Sequence, residues 1–273
     1  MNNPQRLAAG TLGLLILVEV GGCVQRPAPV LLSRLPMHDA VALVDANVAR
    51  IGHTLKASGS ADGYFTTAKG RRRSFHVDAT MFFLTPRYLR FDLKKLGERQ
   101  MLIGSNEERY WFYSREDDSY TCGRHGIQID PAEDLPITPR QIIEALGLTG
   151  IPRADFAIGP VQRVVDEYQQ LLYFTEGAGG PRIIEREIWL DRHAPRLIGK
   201  VVFRDADGAI EMQSELTGYE RLGAVGPWLP GVMRVHWPKS TASLRFKVSR
   251  WTFQEEVAPD GLQFAVPPEC DVR

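Results

Sequence analysis

The sequence predicts a mainly β protein with two helices, an α+β chain built on one large antiparallel sheet. Three observations carry this. The stretch Pro86–Tyr120 alternates apolar and polar residues and has turn residues at every corner. The second half of the chain holds eight further short strands separated by Gly, Pro and Asp corners. Only two stretches, near His38 and Pro139, show apolar residues at helical spacing.

Taken in order, residues 1–22 read as an export signal rather than as part of the fold. Arg6 and the terminal amine precede an apolar run, Leu7–Val18, too short to span a bilayer comfortably. Val20-Gly21-Gly22-Cys23 resembles a bacterial lipobox, so cleavage before Cys23 would leave its thiol to carry a diacylglycerol. Two or three acyl chains hold a protein to a bilayer stably, each buried CH₂ contributing about 0.8 kcal/mol. An ordinary secretory signal, or an uncleaved anchor with an incidental cysteine, is the alternative. Residues 23–36 read as a lipidated, Pro-punctuated tether and residues 37–273 as a single domain. Val24, where an Asp would favour inner-membrane retention in proteobacteria, points to the outer membrane facing the periplasm.

The first helix is expected at His38–Gly52, with Val41, Val44, Val48 and Ile51 on one face and Gly52 as its left-handed cap. Strands follow at Leu55–Thr67 and Arg73–Thr85, around a basic corner whose Arg71-Arg72-Arg73 run is either a solvated tip or a lipid head-group contact. The central meander runs through Leu89–Leu93, Met101–Ile103, Tyr110–Tyr113 and Ser119–Thr121. Thr138-Pro139-Arg140-Gln141 fits a capping box with Pro at the first helical position, opening a helix that Gly147 ends. The later strands are expected at Asp155–Ile158, Gln162–Asp166, Gln169–Glu176, Arg182–Asp191, Leu197–Arg204, Ala209–Glu220, Val232–Trp237 and Ser243–Gln254. In the last, apolar Leu244, Phe246 and Val248 give way to Trp251 and Phe253, a change of phase that predicts a bulge near Ser249–Arg250.

The words P-R-Y-L-R-F-D-L, Q-M-L-I-G-S-N and Y-W-F-Y within Pro86–Tyr113 resemble the central strands of the bacterial LolA/LolB-type lipoprotein carriers. The chain also ends as they do, with Phe264 shortly before Pro267-Pro268. As a pattern the resemblance covers most of residues 38–268. It implies a sheet curved into an unclosed half-barrel, with helices covering the concave face around a greasy cavity. Many carriers hold a basic residue before the strand-leading Pro, where it bonds the lid; Thr85 stands there in this chain. An acylated cysteine places the layout nearer the anchored acceptor type, which delivers cargo through an exposed apolar loop. The loop Gly223–Gly231, with Trp228 and Leu229, has suitable chemistry for a membrane-facing loop but not the family's position, and packing at a corner is the alternative.

Composition excludes several classes of function. The formal net charge is +0, which gives no electrostatic case for nucleic acid. No P-loop, nucleophile elbow, His-Glu-x-x-His or dinucleotide fingerprint is present, and no catalytic residue or cofactor is expected. Cys122-Gly123-Arg124-His125 has the spacing of half a metal site without a second half, so no metal is expected. Cys122 and Cys270 either pair across the chain or remain free thiols.

The expected function is non-catalytic binding of lipid or lipoprotein acyl chains in a hydrophobic cavity, on a protein held to the membrane through Cys23, in lipoprotein sorting or transfer. The expected lining is Phe75, Val77, Met81, Phe83, Leu89, Phe91, Leu93, Met101, Ile103, Trp111 and Tyr113, closed by Ile142, Ile143 and Leu146. A palmitoyl tail buried there would gain on the order of 10 kcal/mol gross. The same residues would equally make a filled core, and the alternative function is an anchored interaction or envelope-stress sensor domain with a protein partner.

Overall fold

The structure is a computed structural model that describes residues 30–66, 70–116, 118–125, 139–151, 158–176 and 180–270. The expected signal, Cys23, Thr138 and most of the strand expected at Asp155–Ile158 lie outside these residues. Apart from Val30, all described residues belong to one compact unit that begins at Leu31.

Strands β1 (Thr54–Thr66) and β2 (Arg72–Leu84) form a long hairpin. A meander continues it through β3 (Tyr88–Lys95), β4 (Glu98–Ser105), β5 (Arg109–Ser114) and β6 (Ser119–Arg124). A second meander comprises β7 (Ile158–Val165), β8 (Tyr168–Glu176), β9 (Arg182–Asp191), β10 (Ile198–Arg204) and β11 (Ile210–Thr217). A separate two-stranded ribbon, β12 (Glu220–Arg221) and β13 (Trp228–Leu229), leads to β14 (Val232–Trp237) and β15 (Ala242–Gln254). The large sheet has thirteen strands in the order β6-β5-β4-β3-β2-β1-β15-β14-β11-β10-β9-β8-β7. The two meanders therefore meet where β15 pairs with β1, and β6 and β7 remain as edges of an unclosed half-barrel.

The expected bulge is present. The register between β1 and β15 shifts where Ser58 opposes Arg250 and Gly59 opposes Val248, leaving Ser249 unpaired. That extra residue restores the core-facing phase, so that Trp251 and Phe246 both pack against the main apolar cluster.

Helix α1 (Met37–Val48) buries Ala40, Val41 and Val44. It ends earlier than its spacing suggests. Ala49 is still right-handed at the C-cap, and the chain tightens as the Arg50 and Ile51 amides bond the Asn47 and Val48 carbonyls. Gly52 is therefore not the cap. Helix α2 (Pro139–Ala145) begins on the expected proline and is followed by Gly147 at φ +64°, a left-handed conformation that favours glycine.

The segment expected to end the tether is part of the fold. Leu35 donates its amide to Gln169 Oε1 (3.0 Å) and accepts from Gln162 Nε2 (2.7 Å). Arg192 Nε and Nη2 reach the Leu32 carbonyl at 3.1 and 3.0 Å, and Arg196 Nη2 reaches the Ser33 carbonyl at 2.7 Å. Long-range side chains thus capture a backbone whose own sequence carries only Pro punctuation, and the fold starts at Leu31 rather than Met37.

On the sheet face opposite the helices, Asp92 accepts from Arg99 Nε (2.6 Å) and Arg90 Nη2 (2.9 Å). Burial opposes its charge, but the hydrogen bonds from Arg99 and Arg90 prevail and hold its carboxyl below the usual range. Cys122 and Cys270 form a disulfide, which fixes a 3-10 turn at Pro268–Cys270 against β6.

Candidate functional site

The helix-covered face is built by register. Met81, Phe91, Ile103 and Phe112 lie opposite one another across β2, β3, β4 and β5, and Ala79, Leu93 and Met101 form a parallel row. In the other half, Ala61, Phe246, Met233 and Leu216 continue the same face across β1, β15, β14 and β11. Helix α2 rests on β10 and β11 at one side and β4 at the other, so seven residues bridge the two halves of the sheet.

Of the expected lining, Val77, Met81, Phe83, Leu89, Phe91, Leu93, Ile103, Ile142, Ile143 and Leu146 join one buried apolar cluster, and Phe75 and Met101 pack half-buried against it. Trp111 and Tyr113 do not belong to it. Gly104 opposes Trp111 and Leu102 opposes Tyr113, which places both aromatics on the outer face with Tyr120, Cys122 and Cys270. Gly104 is required there, because a Cβ would lie 2.0 Å from the Trp111 indole. Phe112 takes the inward position. Four consecutive ring-bearing residues, Tyr110–Tyr113, show no alternation, so pairing with β4 alone decides their phase.

The apolar face contains one buried charge pair that the sequence reading missed. Arg186 on β9 is 3% exposed, and its Nη1 lies 2.8 Å from Glu144 Oε2 on α2. Its guanidinium also lies 5.1 Å from the Phe203 ring. The available signal was phase: Arg186 occupies the same side of its strand as Ile184, Ile188 and Leu190. Gln141 of α2, expected to serve a capping box, instead donates to Glu211 Oε2 on β11 (2.9 Å). Asp45 of α1 accepts from the Ile151 amide (3.0 Å) and so holds the turn beyond α2. Polar links therefore join both helices to their surroundings, while the bed beneath them is greasy.

The expected membrane-facing loop is overturned for Leu229, which is 1% exposed and part of the main cluster. Trp228 is half-buried, and the Asn47 side chain clamps its backbone, with Trp228 N to Oδ1 at 2.8 Å and Nδ2 to Trp228 O at 3.0 Å. Pairing of β12 with β13 turns this end of the loop inward, and Val225 is the apolar residue left outside, 79% exposed.

Two groupings could suggest chemistry. Ser105 Oγ lies 3.0 Å from His125 Nε2, but the same nitrogen is 3.0 Å from the Asn106 carbonyl. That carbonyl needs an N–H, so Nε2 cannot also take the Ser105 proton, and Ser105 is fully buried. Burial pushes the His125 pKa down, with Arg87 adding to it. Cys122, the sulfur of the half metal motif, is committed to the disulfide.

A groove of about 660 Å³ lies away from the expected lining. Its walls include Asp62, Tyr64, Ser74, Gln213, Glu215, Arg234, His236, Ser243 and Arg245. Register places these nine on the outer face, across β2, β1, β15, β14 and β11. Of the expected lining only Phe75 touches it.

No family model matches the sequence, and no curated protein matches it. Solved structures do. A LolA superfamily protein from Nitrosomonas europaea is similar at a TM-score of 0.52 and 10% identity, over 81% of this chain and 94% of that one. A DUF1329 family protein from Desulfovibrio piger is similar at a TM-score of 0.52 and 11% identity, over 82% of this chain and 96% of that one. At these identities the likeness concerns architecture: this chain has the fold of the LolA superfamily, an unclosed antiparallel half-barrel with helices across its concave face.

Proposed function

We propose that this chain is a bacterial envelope lipoprotein that takes up acyl chains of lipids or lipoproteins between its helices and its sheet, without catalysis. The observation that carries the reading is the bridge made by α2. Seven helical residues span strands from both halves of the half-barrel, over an apolar bed and with one buried ion pair, Arg186–Glu144. Lifting so short an element exposes Phe91, Phe203, Leu216 and their neighbours as a continuous trough. A hydrocarbon chain laid there would replace the contacts that Ile142, Ile143 and Leu146 give up. In this reading Cys23 carries the lipid anchor, residues 24–30 are the free part of the tether, and the likeness to a LolA superfamily protein supports a role in lipoprotein sorting or transfer at the outer membrane.

The β3–β4 hairpin supports delivery to a bilayer. Leu96 at its tip is 93% exposed and has φ 53°. A leucine in the left-handed region costs about 1–2 kcal/mol relative to a right-handed one, and full exposure of the side chain gains nothing for folding. Contact of this tip with lipid accounts for both.

The second reading, an anchored interaction or sensor domain, is favoured by the near-complete burial of Leu55, Met81, Phe83 and Leu89 in the closed arrangement. Displacement of a hydrophobic dye from the exported Cys23→Ser chain separates the two. Release by long-chain acyl ligands supports the carrier, and a chain that takes up no dye supports a filled core.

A further inference from the structure

We infer that the groove on the outer face is a binding site for a phosphate group, carried either by a lipid headgroup or by a small soluble molecule. It is a separate site from the apolar trough, and the inference does not depend on acyl binding.

The central observation is a pair of like charges. Arg245 on β15 and Arg234 on β14 are directly opposed in register, both exposed on the groove wall. Neither guanidinium has an ion pair or hydrogen bond among the described residues. Like charges directly opposite one another in an antiparallel pair are destabilising, so a fold indifferent to this position would not place two arginines there. An anion between them turns the repulsion into two charge-assisted contacts, and the guanidinium fork suits a phosphate better than any other cationic side chain.

The surroundings favour a phosphate over a carboxylate. Tyr64, Ser74 and Ser243 bring hydroxyls to the same groove, and the Arg72 guanidinium stacks 3.8 Å from the centre of the Tyr64 ring at its rim. That is more donors than two carboxylate oxygens can use, and a phosphate offers three or four. The row is closed on each side by an acid. Asp62 opposes Arg245 from β1, and Glu215 opposes Arg234 from β11. These carboxylates confine the anion to the middle of the row and leave acceptors for hydroxyls or an ammonium on the rest of the ligand. The volume of about 660 Å³ lies within the range of small-molecule sites.

The test is calorimetric titration of the full chain, purified in non-ionic detergent, with inorganic phosphate and separately with glycerophosphoglycerol, a deacylated lipid headgroup. Neither probe has an acyl chain, so failure here leaves the trough untouched, and failure of acyl binding leaves this site untouched. Saturable binding of either probe, weakened at least about tenfold in Arg234→Gln/Arg245→Gln, is expected. The tighter probe then identifies the source of the phosphate. Because the substitution removes a repulsion, the variant's melting temperature should equal or exceed that of the parent, which separates lost binding from lost folding. The proposal is overturned if neither probe binds up to about 10 mM, or if the double variant binds as the parent does.

Discussion

The ion pair between Arg186 and Glu144 offers the sharpest perturbation. Arg186 is 3% exposed and Glu144 lies at 2.8 Å on the helix above it, so Glu144→Gln leaves a cation in an apolar bed with a weakened partner. Breaking a buried pair from one side costs about 3–5 kcal/mol, and the amide oxygen of Gln still accepts one hydrogen bond, which puts the loss near the lower end, about 3 kcal/mol. For a domain of this size that is a fall in melting temperature of about 6–12 °C. Replacing both partners by apolar residues of similar volume, Arg186→Met/Glu144→Leu, removes the charge altogether and should restore or raise stability. Thermal melting followed by circular dichroism reads the global effect. Hydrogen exchange reads its location: in Glu144→Gln the amides of Ile142–Leu146 should lose protection before those of β1 and β2. A Glu144→Gln protein melting within about 1 °C of the parent, or a double variant no better than the single one, would refute the reasoning.

Three further outcomes are expected. Reducing Cys122–Cys270, which closes a loop of 148 residues, should cost roughly 5 kcal/mol in the chain-entropy account and shift Trp111 fluorescence to the red as the tail leaves it; unchanged melting and emission would contradict the assignment. Asp92 has its carboxyl held below the usual range, so its contribution is complete above the unfolded pKa near 3.9 and is lost as the pH falls through the lower folded value. Urea melts should therefore show a loss of stability below about pH 4 that is smaller in Asp92→Asn, and equal acid limbs would rule this out. Leu96→Asn should raise stability by about 1 kcal/mol, because Asn tolerates φ 53°, while weakening vesicle association of the Cys23→Ser chain; undiminished association would remove the hairpin from the account.

The strands were legible where alternation and turn chemistry agreed. Arg182–Asp191 and Val232–Trp237 fall where the alternation places them, and the bulge at Ser249 was visible as a change of apolar phase. Legibility failed where a decision rests on distant partners. Nothing local phases Tyr110–Tyr113, since every side chain there suits either face, and Trp111 is placed by Gly104 on the neighbouring strand. Residues 31–36 look like linker because their anchors, Gln162, Gln169, Arg192 and Arg196, come from more than a hundred residues away. The opposition of Arg234 and Arg245 needs a register that no single strand records. Gly223–Gly231 looked exposed because its composition suits a loop, while Asn47 on α1 supplies the clamp that turns Trp228 inward.

The trough itself is tested most directly by native mass spectrometry of the Cys23→Ser chain, exported and purified gently from a bacterial envelope. The account predicts a removable adduct with the mass of a fatty acid or phospholipid, which exchanges on incubation with a long-chain acyl ligand. A bare chain mass that stays unchanged after the same incubation would contradict it, and would mean that α2 closes a filled core.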